Sequence, residues 1–170
     1  KKYITFNSTS SSEVRDYSSY GSGENFTISG SPTETTGKSG KCYDFTATGQ
    51  YIRNQSTTPI DLNGGVSVSI WSYSDNLTAS PNYQQLFFLR DNSGGGGAQL
   101  VLREYGSGGM EAFVKTNGDL DWGPDYIYQA GLMTANTWYH WVLTYDGANT
   151  MLLYRNGVQI ASTTTTESGL

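Results

Sequence analysis

The sequence has few of the residues that build covalent or metal sites. Its 170 residues include one cysteine (Cys42), one histidine (His140) and four prolines. A single cysteine excludes an intrachain disulfide, and one cysteine with one histidine excludes a Cys/His zinc site and a two-cysteine redox pair. We expect Cys42 to be a buried, inert thiol, because it lies in an apolar stretch and free cysteines are usually buried. A chain of this length can fold on its hydrophobic core without a disulfide or metal.

Charge is scarce as well. Charged residues make up 15% of the chain, the net charge is −5 and the pI is near 4.7. With no Lys/Arg cluster beyond Lys1-Lys2, the sequence predicts no nucleic-acid partner. No apolar run approaches ~18 residues and no basic amphipathic stretch occurs, so we predict no membrane insertion. The N-terminus lacks the apolar core of a signal peptide, so we expect an exported form to be mature or excised.

Small polar residues and tyrosine take the place of charge. The chain has 21 Gly, 20 Ser, 20 Thr and 13 Tyr, and aromatic residues reach 14%. Disordered chains usually combine low hydrophobicity with high net charge and few aromatic residues, which is a different composition. Short alternating segments separated by glycine-rich turns run through the sequence, and no helical period lasts more than about two turns. This pattern predicts a folded, all-β protein.

The alternating segments predict eleven strands of an antiparallel sandwich. Asn156-Gly157 predicts a type I′ hairpin turn, because both positions of that turn need a positive φ. The polar stretch 7–40, apart from one short strand, and Asn117–Gly131 are predicted as long connections. The predicted strands are 3–6, Phe26–Ile28, Lys41–Phe45, Tyr51–Arg53, Val66–Ile70, Gln84–Arg90, Ala98–Tyr105, Met110–Lys115, Trp138–Tyr145, Met151–Arg155 and Val158–Ser162.

Three of the four tryptophans fall within or beside predicted strands. Trp71, Trp138 and Trp141 have apolar neighbours in the sequence, and tryptophan is highly buried on average, so we expect all three in the core. His140 has the opposite parity to Tyr139 and Trp141 on its strand. We expect His140 to be structural, because a lone histidine without a positioned nucleophile seldom makes a catalytic site.

The C-terminal strands carry a family resemblance. The run 138–147 (WYHWVLTYDG), followed by 153–158 (LYRNGV), resembles the paired-strand signature of laminin G-like jelly rolls. These are the concanavalin A-like lectin/glucanase sandwiches, which also include pentraxins. Gly37–Phe45, Tyr51-Ile52 and Val66–Trp71 are similar to upstream strands of the family in the same order. The resemblance covers roughly residues 3–160 and implies an antiparallel two-sheet jelly-roll sandwich, which we predict as a single domain over 1–170.

The resemblance also has implications for the C-terminal edge. Family members commonly continue past the Asn-Gly hairpin into strands with an acidic residue that closes the sandwich, and nothing of that kind follows Val158–Ser162. Three arrangements follow: the closing strands are missing, the N-terminal strand and polar segment cover the gap, or a partner supplies the pairing. An uncovered strand edge is an aggregation hazard, which favours a partner.

Calcium is the one cofactor that the resemblance implies. In many relatives a loop of the Asp-Ser-Ser-Gly-Asn type binds Ca²⁺ together with the C-terminal acid. The similar stretch here is 16–25, and it carries Asp16 and Asn25 as the matching ligands. Ca²⁺ requires six or more oxygen ligands. The acidic run 119–125 has neither the glycine nor the glutamate that an EF-hand loop requires at its sixth and twelfth positions.

Catalysis would need a pair of carboxyl groups. Retaining glucanases use two carboxyls ~5–5.5 Å apart, and the Glu-x-Asp-x-x-Glu pattern of the family's glucanases is absent. Glu104 and Glu111 lie on neighbouring predicted strands and are the remaining pair. We therefore predict a protein that is not an enzyme, with a glycoside hydrolase as the remote alternative.

Binding is the function that the aromatic residues favour. Sugars offer apolar CH faces and many hydroxyls, and tyrosine and tryptophan combine a flat apolar body with a polar tip. We predict a non-catalytic glycan-recognition or adhesion module on an extracellular, cell or virion surface. The alternative is a virion or cell-surface structural subunit that pairs with neighbouring subunits through sheet edges. The predicted ligand-binding residues lie in the connection 117–131 and are Asp119, Asp121, Trp122, Asp125, Tyr126 and Tyr128.

Overall fold

The structure is a computed structural model, and it describes residues 13–14, 26–54, 64–77, 83–90, 99–106, 108–115 and 126–165. Every regular element within these ranges is a strand with an antiparallel partner, which confirms the all-β prediction. No helix in these ranges is long and apolar enough to cross a membrane. The chain divides into two compact units, Lys1–Pro59 and Ile60–Leu170. A single domain over 1–170 stays a prediction.

Within its described residues, the first unit contains five short strands. They form a three-stranded sheet of order β1-β2-β5 and a separate β3–β4 hairpin. The β3 strand lies in the polar stretch predicted as a connection, and its three β-branched threonines favour the extended backbone. The strands are β1 (Glu13–Val14), β2 (Phe26–Ser29), β3 (Thr33–Thr36), β4 (Lys41–Asp44) and β5 (Tyr51–Arg53).

Cys42 lies on strand β4 of the hairpin and is half-buried. Burial, and to a smaller extent the neighbouring Asp44 carboxylate, raises the pKa of the Cys42 thiol. A raised pKa lowers the thiolate fraction, and the thiolate is the reactive form. The thiol is therefore less shielded than predicted but held in its unreactive form.

The second unit is a sandwich of two four-stranded antiparallel sheets. Sheet I has the order β10-β9-β8-β7, and sheet II has the order β13-β12-β11-β6. The strands are β6 (Val66–Ser74), β7 (Gln84–Arg90), β8 (Gln99–Tyr105), β9 (Gly109–Lys115), β10 (Tyr126–Gln129), β11 (Thr137–Tyr145), β12 (Thr150–Arg155) and β13 (Val158–Thr164).

The core lies between the two sheets. The strands β6 and β11 of sheet II alternate inward and outward residues, whereas β8 and β9 of sheet I are buried on both faces, with Val101 and Phe113 on the outer one. On β11, for example, Tyr139, Trp141 and Leu143 face inward while the residues between them are half-buried. A two-residue period puts one side of each strand in the core and leaves the other on the outer face. The buried cluster contains Val68, Leu100, Leu102, Met110, Ala112, Val114, Ile127, Met133, Tyr139, Trp141, Leu143, Tyr145, Met151 and Leu153.

The predicted hairpin at the end of the chain is confirmed. Asn156 and Gly157 have φ angles of 51° and 83°, the two positive values that a type I′ turn requires. Asn156 also supports the neighbouring strand, because its Oδ1 accepts the His140 N–H and its own N–H donates to the His140 carbonyl. This hairpin fixes the register of β12 and β13.

Two further sequence expectations are wrong. Trp71 is exposed and Trp138 half-buried on the outer face of sheet II, so only Trp141 of the three tryptophans is in the core. Alternation along the strand decides this. Trp71 is three residues after Val68, so the two side chains point to opposite faces of the sheet, and Val68 is the buried one. The segment Asn117–Gly131 is not a connection throughout, because it contains strand β10.

Candidate functional site

The outer face of sheet I gathers polar and aromatic residues from three strands. On β8, Leu102 and Glu104 point into the sandwich, so Arg103 and Tyr105 point outward. The register places Arg103 opposite Glu111 on β9, and Glu111 opposite Tyr128 on β10. Arg103, Glu111 and Tyr128 therefore form one row across the outer face.

An ion pair lies at the centre of this row. Arg103 Nε donates to Glu111 Oε2 at 2.5 Å, and both side chains are almost fully buried. The Arg103 guanidinium also lies 3.8 Å from the centre of the Tyr83 ring and 5.1 Å from that of Phe113. Cation–π contacts of this kind hold a guanidinium in a fixed orientation.

Three tyrosine rings surround the ion pair. The ring centroids of Tyr83 and Tyr105 are 5.1 Å apart, and those of Tyr105 and Tyr128 are 5.4 Å apart and edge to face. Tyr83 and Tyr128 keep 46% and 43% of their surface exposed to solvent. We call Tyr83, Arg103, Tyr105, Glu111 and Tyr128 the tyrosine patch.

Gly109 makes room for this arrangement. It lies opposite Tyr105 in the β8–β9 register. A Cβ atom at position 109 would be 3.3 Å from Cε2 of Tyr128 and 2.9 Å from the Tyr105 carbonyl oxygen. The absence of a side chain therefore lets the Tyr128 ring lie across the strand beside Tyr105.

Glu104 lies on the opposite side of the same strand, inside the sandwich. It is 6% exposed, and its carboxylate accepts hydrogen bonds from Ser72 Oγ at 3.2 Å and Ser74 Oγ at 2.6 Å, both from sheet II. Trp141 Nε1 donates in turn to Ser72 Oγ. Burial raises the pKa of Glu104, and the two serine hydrogen bonds offset part of that rise.

The two carboxyl groups considered for catalysis are thus on opposite faces of sheet I. Glu104 points into the core, whereas Glu111 points outward and pairs with Arg103. Retaining hydrolysis needs two carboxyls about 5–5.5 Å apart that flank the same glycosidic bond. Glu104 and Glu111 do not meet that requirement.

The structure describes two of the predicted site residues. Tyr126 and Tyr128 both lie on the outer face of β10, since Ile127 between them is in the core. Asp119, Asp121, Trp122 and Asp125, together with the predicted calcium ligands Asp16 and Asn25, lie outside the described residues. In the ranges that the structure covers, no three His, Cys, Asp or Glu side chains are grouped closely enough to hold a metal ion.

The other members of the patch were not predicted from the sequence. Tyr83, Arg103, Tyr105 and Glu111 come from three segments, and only the strand register brings them together. A signal was present in β8, where the outward positions Val101, Arg103 and Tyr105 alternate with inward ones. Strand alternation identifies which residues share a face, but pairing in the sheet decides which of them meet.

Comparison with known proteins assigns the family. A laminin G family model of the concanavalin A-like lectin/glucanases superfamily matches residues 46–170. The crystal structure of an S-layer domain-containing protein (residues 221–444) from Clostridium thermocellum is similar, with a TM-score of 0.55 and 19% sequence identity. The alignment covers 96% of this chain and 72% of that one. At this identity the similarity shows the fold alone. No curated protein matches. Since the family match spans most of the chain, this protein belongs to the concanavalin A-like lectin/glucanases superfamily.

Proposed function

We propose that this chain is a non-catalytic glycan-recognition domain of a surface protein and that the tyrosine patch binds the sugar. The observation that carries the proposal is the exposure of two tyrosine rings, Tyr83 and Tyr128, around the buried Arg103–Glu111 ion pair. Aromatic residues with a few well-placed polar groups are typical of small-molecule sites.

Each part of the patch has a role in the proposed binding. Tyr83 and Tyr128 keep 46% and 43% of their surface exposed, and an exposed tyrosine ring suits the apolar CH face of a pyranose. Arg103 and Glu111 pair with each other between the rings and fix the positions of the tyrosines.

The patch is also held in place before any ligand arrives. Arg103 is fixed by Glu111 on one side and by the Tyr83 ring on the other, and Tyr105 contacts both exposed tyrosines. Side chains that are already ordered lose less entropy when they bind, which strengthens binding by a weak ligand.

Two observations support the remaining parts of the proposal. The opposite orientations of Glu104 and Glu111 support a non-catalytic role, because this pair cannot act on one glycosidic bond. The similar fold of an S-layer domain-containing protein supports a position on a cell surface.

A glycan panel followed by calorimetric titration tests the proposal. We expect Tyr128→Ala to weaken binding of a panel sugar about tenfold or more, because loss of a central aromatic contact typically costs over 1 kcal/mol. The matched control is Tyr154→Ala, which removes a half-buried tyrosine from β12 in sheet II. Equal affinities of the wild type and Tyr128→Ala would reject the patch, and a panel without any binder would reject glycan recognition.

The alternative function is assembly into a surface layer through sheet edges. It is favoured by the position of β13, which ends the order of sheet II within the described strands and carries the exposed Val158. Sedimentation of the chain over a range of concentrations distinguishes the two functions. A monomer that binds sugar supports recognition, whereas concentration-dependent assembly that Val158→Lys abolishes supports a structural subunit.

A further inference from the structure

A second set of aromatic side chains lies on the outer face of sheet II. We propose that this surface, formed by Trp71 and Tyr73 from β6 with Trp138 and His140 from β11, is a binding site for an extended, uncharged polysaccharide. We call these four residues the aromatic ladder. They form no part of the tyrosine patch, which is on the outer face of the other sheet.

The strand register arranges the four rings in two rows. Trp71 lies opposite His140, and Tyr73 lies opposite Trp138. The Trp71 and His140 rings are stacked, with centroids 5.0 Å apart and planes 26° apart, and the Tyr73 and Trp138 rings are 5.4 Å apart at 46°. Trp71 and Tyr73 are 44% and 45% exposed, so their rings are accessible to a ligand.

Hydrogen bonds hold one ring of each row. His140 Nε2 lies 2.8 Å from Ser69 Oγ, and the Tyr73 hydroxyl donates to Asn136 Oδ1 at 3.0 Å. Asn136 is itself fixed, because its N–H donates to the Ser74 carbonyl and its φ is 61°. The rings are therefore ordered in the free protein, which reduces the entropy lost when a ligand stacks on them.

The chemistry of the surrounding face selects an uncharged ligand. The outward positions of β6 are serine at 67 and 69 and then Trp71 and Tyr73, and those of β11 are Trp138, His140, valine at 142 and threonine at 144. None of these eight residues is Asp, Glu, Lys or Arg. A charged ligand would lose its hydration here without gaining an ionic partner from either strand, whereas a neutral sugar would keep its hydroxyls at the polar ring edges.

The spacing of the rows favours an extended chain over a single sugar. The two rows are two residues apart along the strands, which corresponds to about 7 Å. A ligand that contacts both Trp71 and Tyr73 must therefore reach across more than one aromatic ring. An extended polysaccharide presents consecutive sugar rings along such a line.

A second copy of the chain is the competing occupant. The ring edges carry polar atoms of Tyr73, His140 and Asn136, and the centre of a stable protein interface is usually more apolar. The chain also carries a net charge of −5, so two copies repel each other. Both observations favour a neutral sugar.

Affinity electrophoresis and tryptophan fluorescence test the ladder with defined probes. Hydroxyethyl cellulose is the uncharged extended probe, and polygalacturonate is its acidic counterpart. We expect the full chain to be retarded by the first and not by the second, with a change in tryptophan emission on binding. The chain also contains Trp122 and Trp141, so an emission change that Trp71→Phe reduces is the one that reports the ladder, even where the patch fails to bind.

Substitutions at both rows complete the test. Trp71→Ala and Tyr73→Ala should each weaken retardation by hydroxyethyl cellulose about tenfold or more, and Trp71→Phe should recover part of the loss because it restores a ring. Val158→Ala, which removes an exposed apolar side chain from β13, should change nothing. Matching thermal midpoints of the variants confirm that they are folded.

Three results would overturn the proposal. The first is a wild-type chain that hydroxyethyl cellulose does not retard. The second is unchanged retardation of both alanine variants, which would place the sugar elsewhere. The third is a dimer in sedimentation that Trp71→Ala converts to a monomer, which would make the ladder an interface between copies of this chain.

Discussion

Replacing Glu104 with glutamine isolates the energetic effect of a buried charge. The amide has the same shape as the carboxylate. With its oxygen towards Ser74 and its NH₂ group towards Ser72 it keeps both contacts, which are 2.6 Å and 3.2 Å in the wild type, the second with donor and acceptor exchanged. What the substitution removes is the cost of ionising a group that is 6% exposed. We therefore expect Glu104→Gln to stabilise the protein at neutral pH.

The sign of the pH dependence follows from the raised pKa of Glu104. The folded state binds the Glu104 proton more tightly than the unfolded state does. The free energy of unfolding therefore has its full value at a pH below 4.5, the ordinary pKa of a glutamate. Stability falls as the pH rises from 4.5 through the raised pKa and is constant above it. The glutamine variant has no such loss at this site.

The magnitude scales with the pKa rise. Each unit by which the pKa of Glu104 is raised costs about 1.4 kcal/mol at neutral pH. For a chain of this size that corresponds to roughly 3–6 °C in the thermal midpoint. The assay is calorimetric unfolding of the wild type and Glu104→Gln at several pH values from 4 to 8.

We expect the two midpoints to be similar near pH 4 and the variant to be more stable at pH 7. Glu111→Gln is the control with the opposite sign, because it removes the acidic partner of the buried Arg103 and should lower the midpoint at pH 7. A Glu104→Gln variant that is less stable at pH 7 and shows the same deficit at pH 4 would refute the reasoning.

Three further predictions concern other parts of the chain. The N–H groups of Thr150, Ala148 and Asn149 lower the pKa of Asp146 to about 2. The stability that ionised Asp146 contributes is therefore present above its ordinary pKa of 3.8 and should be lost as the pH falls through 2. In an acid titration followed by circular dichroism, Asp146→Ala should not show this loss. Gly109→Ala should lower the thermal midpoint and weaken sugar binding together, because the new Cβ meets the Tyr128 ring and a carbonyl oxygen; unchanged binding would contradict the role of Gly109. The family resemblance implies that Asp16 binds Ca²⁺, so millimolar Ca²⁺ should raise the thermal midpoint of the wild type and not that of Asp16→Ala; an equal response of the two would contradict Asp16 as a ligand.

Much of the sandwich follows from local sequence patterns. The Asn156-Gly157 turn and the alternation of Val66–Ile70 are each decided by a few neighbouring residues, and the structure confirms both. The local pattern does not predict strand β10, because Tyr126–Gln129 has only one buried residue, Ile127, and so shows no apolar repeat. The average burial of tryptophan predicts a core position for Trp71, whereas its parity on β6, opposite to buried Val68, places it on the outer face.

The candidate site depends on information that is not local. Tyr83 and Tyr128 are distant in sequence, and their common neighbour Tyr105 is known only from the pairing of the strands. Nothing in the sequence around Glu104 indicates that its buried carboxylate accepts hydrogen bonds from Ser72 and Ser74 of the other sheet. Register and sheet stacking are set by the whole chain, and a window of a few residues does not contain them.

The hydrogen bonds between the two sheets have a geometric consequence for both outer faces. Apolar contacts are non-directional and tolerate sliding of one sheet over the other, whereas hydrogen bonds restrict both distance and angle. Glu104 sits between Arg103 and Tyr105, and Ser72 sits between Trp71 and Tyr73. The bond that joins Glu104 to Ser72 thus aligns the tyrosine patch and the aromatic ladder back to back, with sheets about 10 Å apart between them. If both surfaces bind polysaccharide, the domain is a rigid spacer that sets a constant separation between two glycan strands.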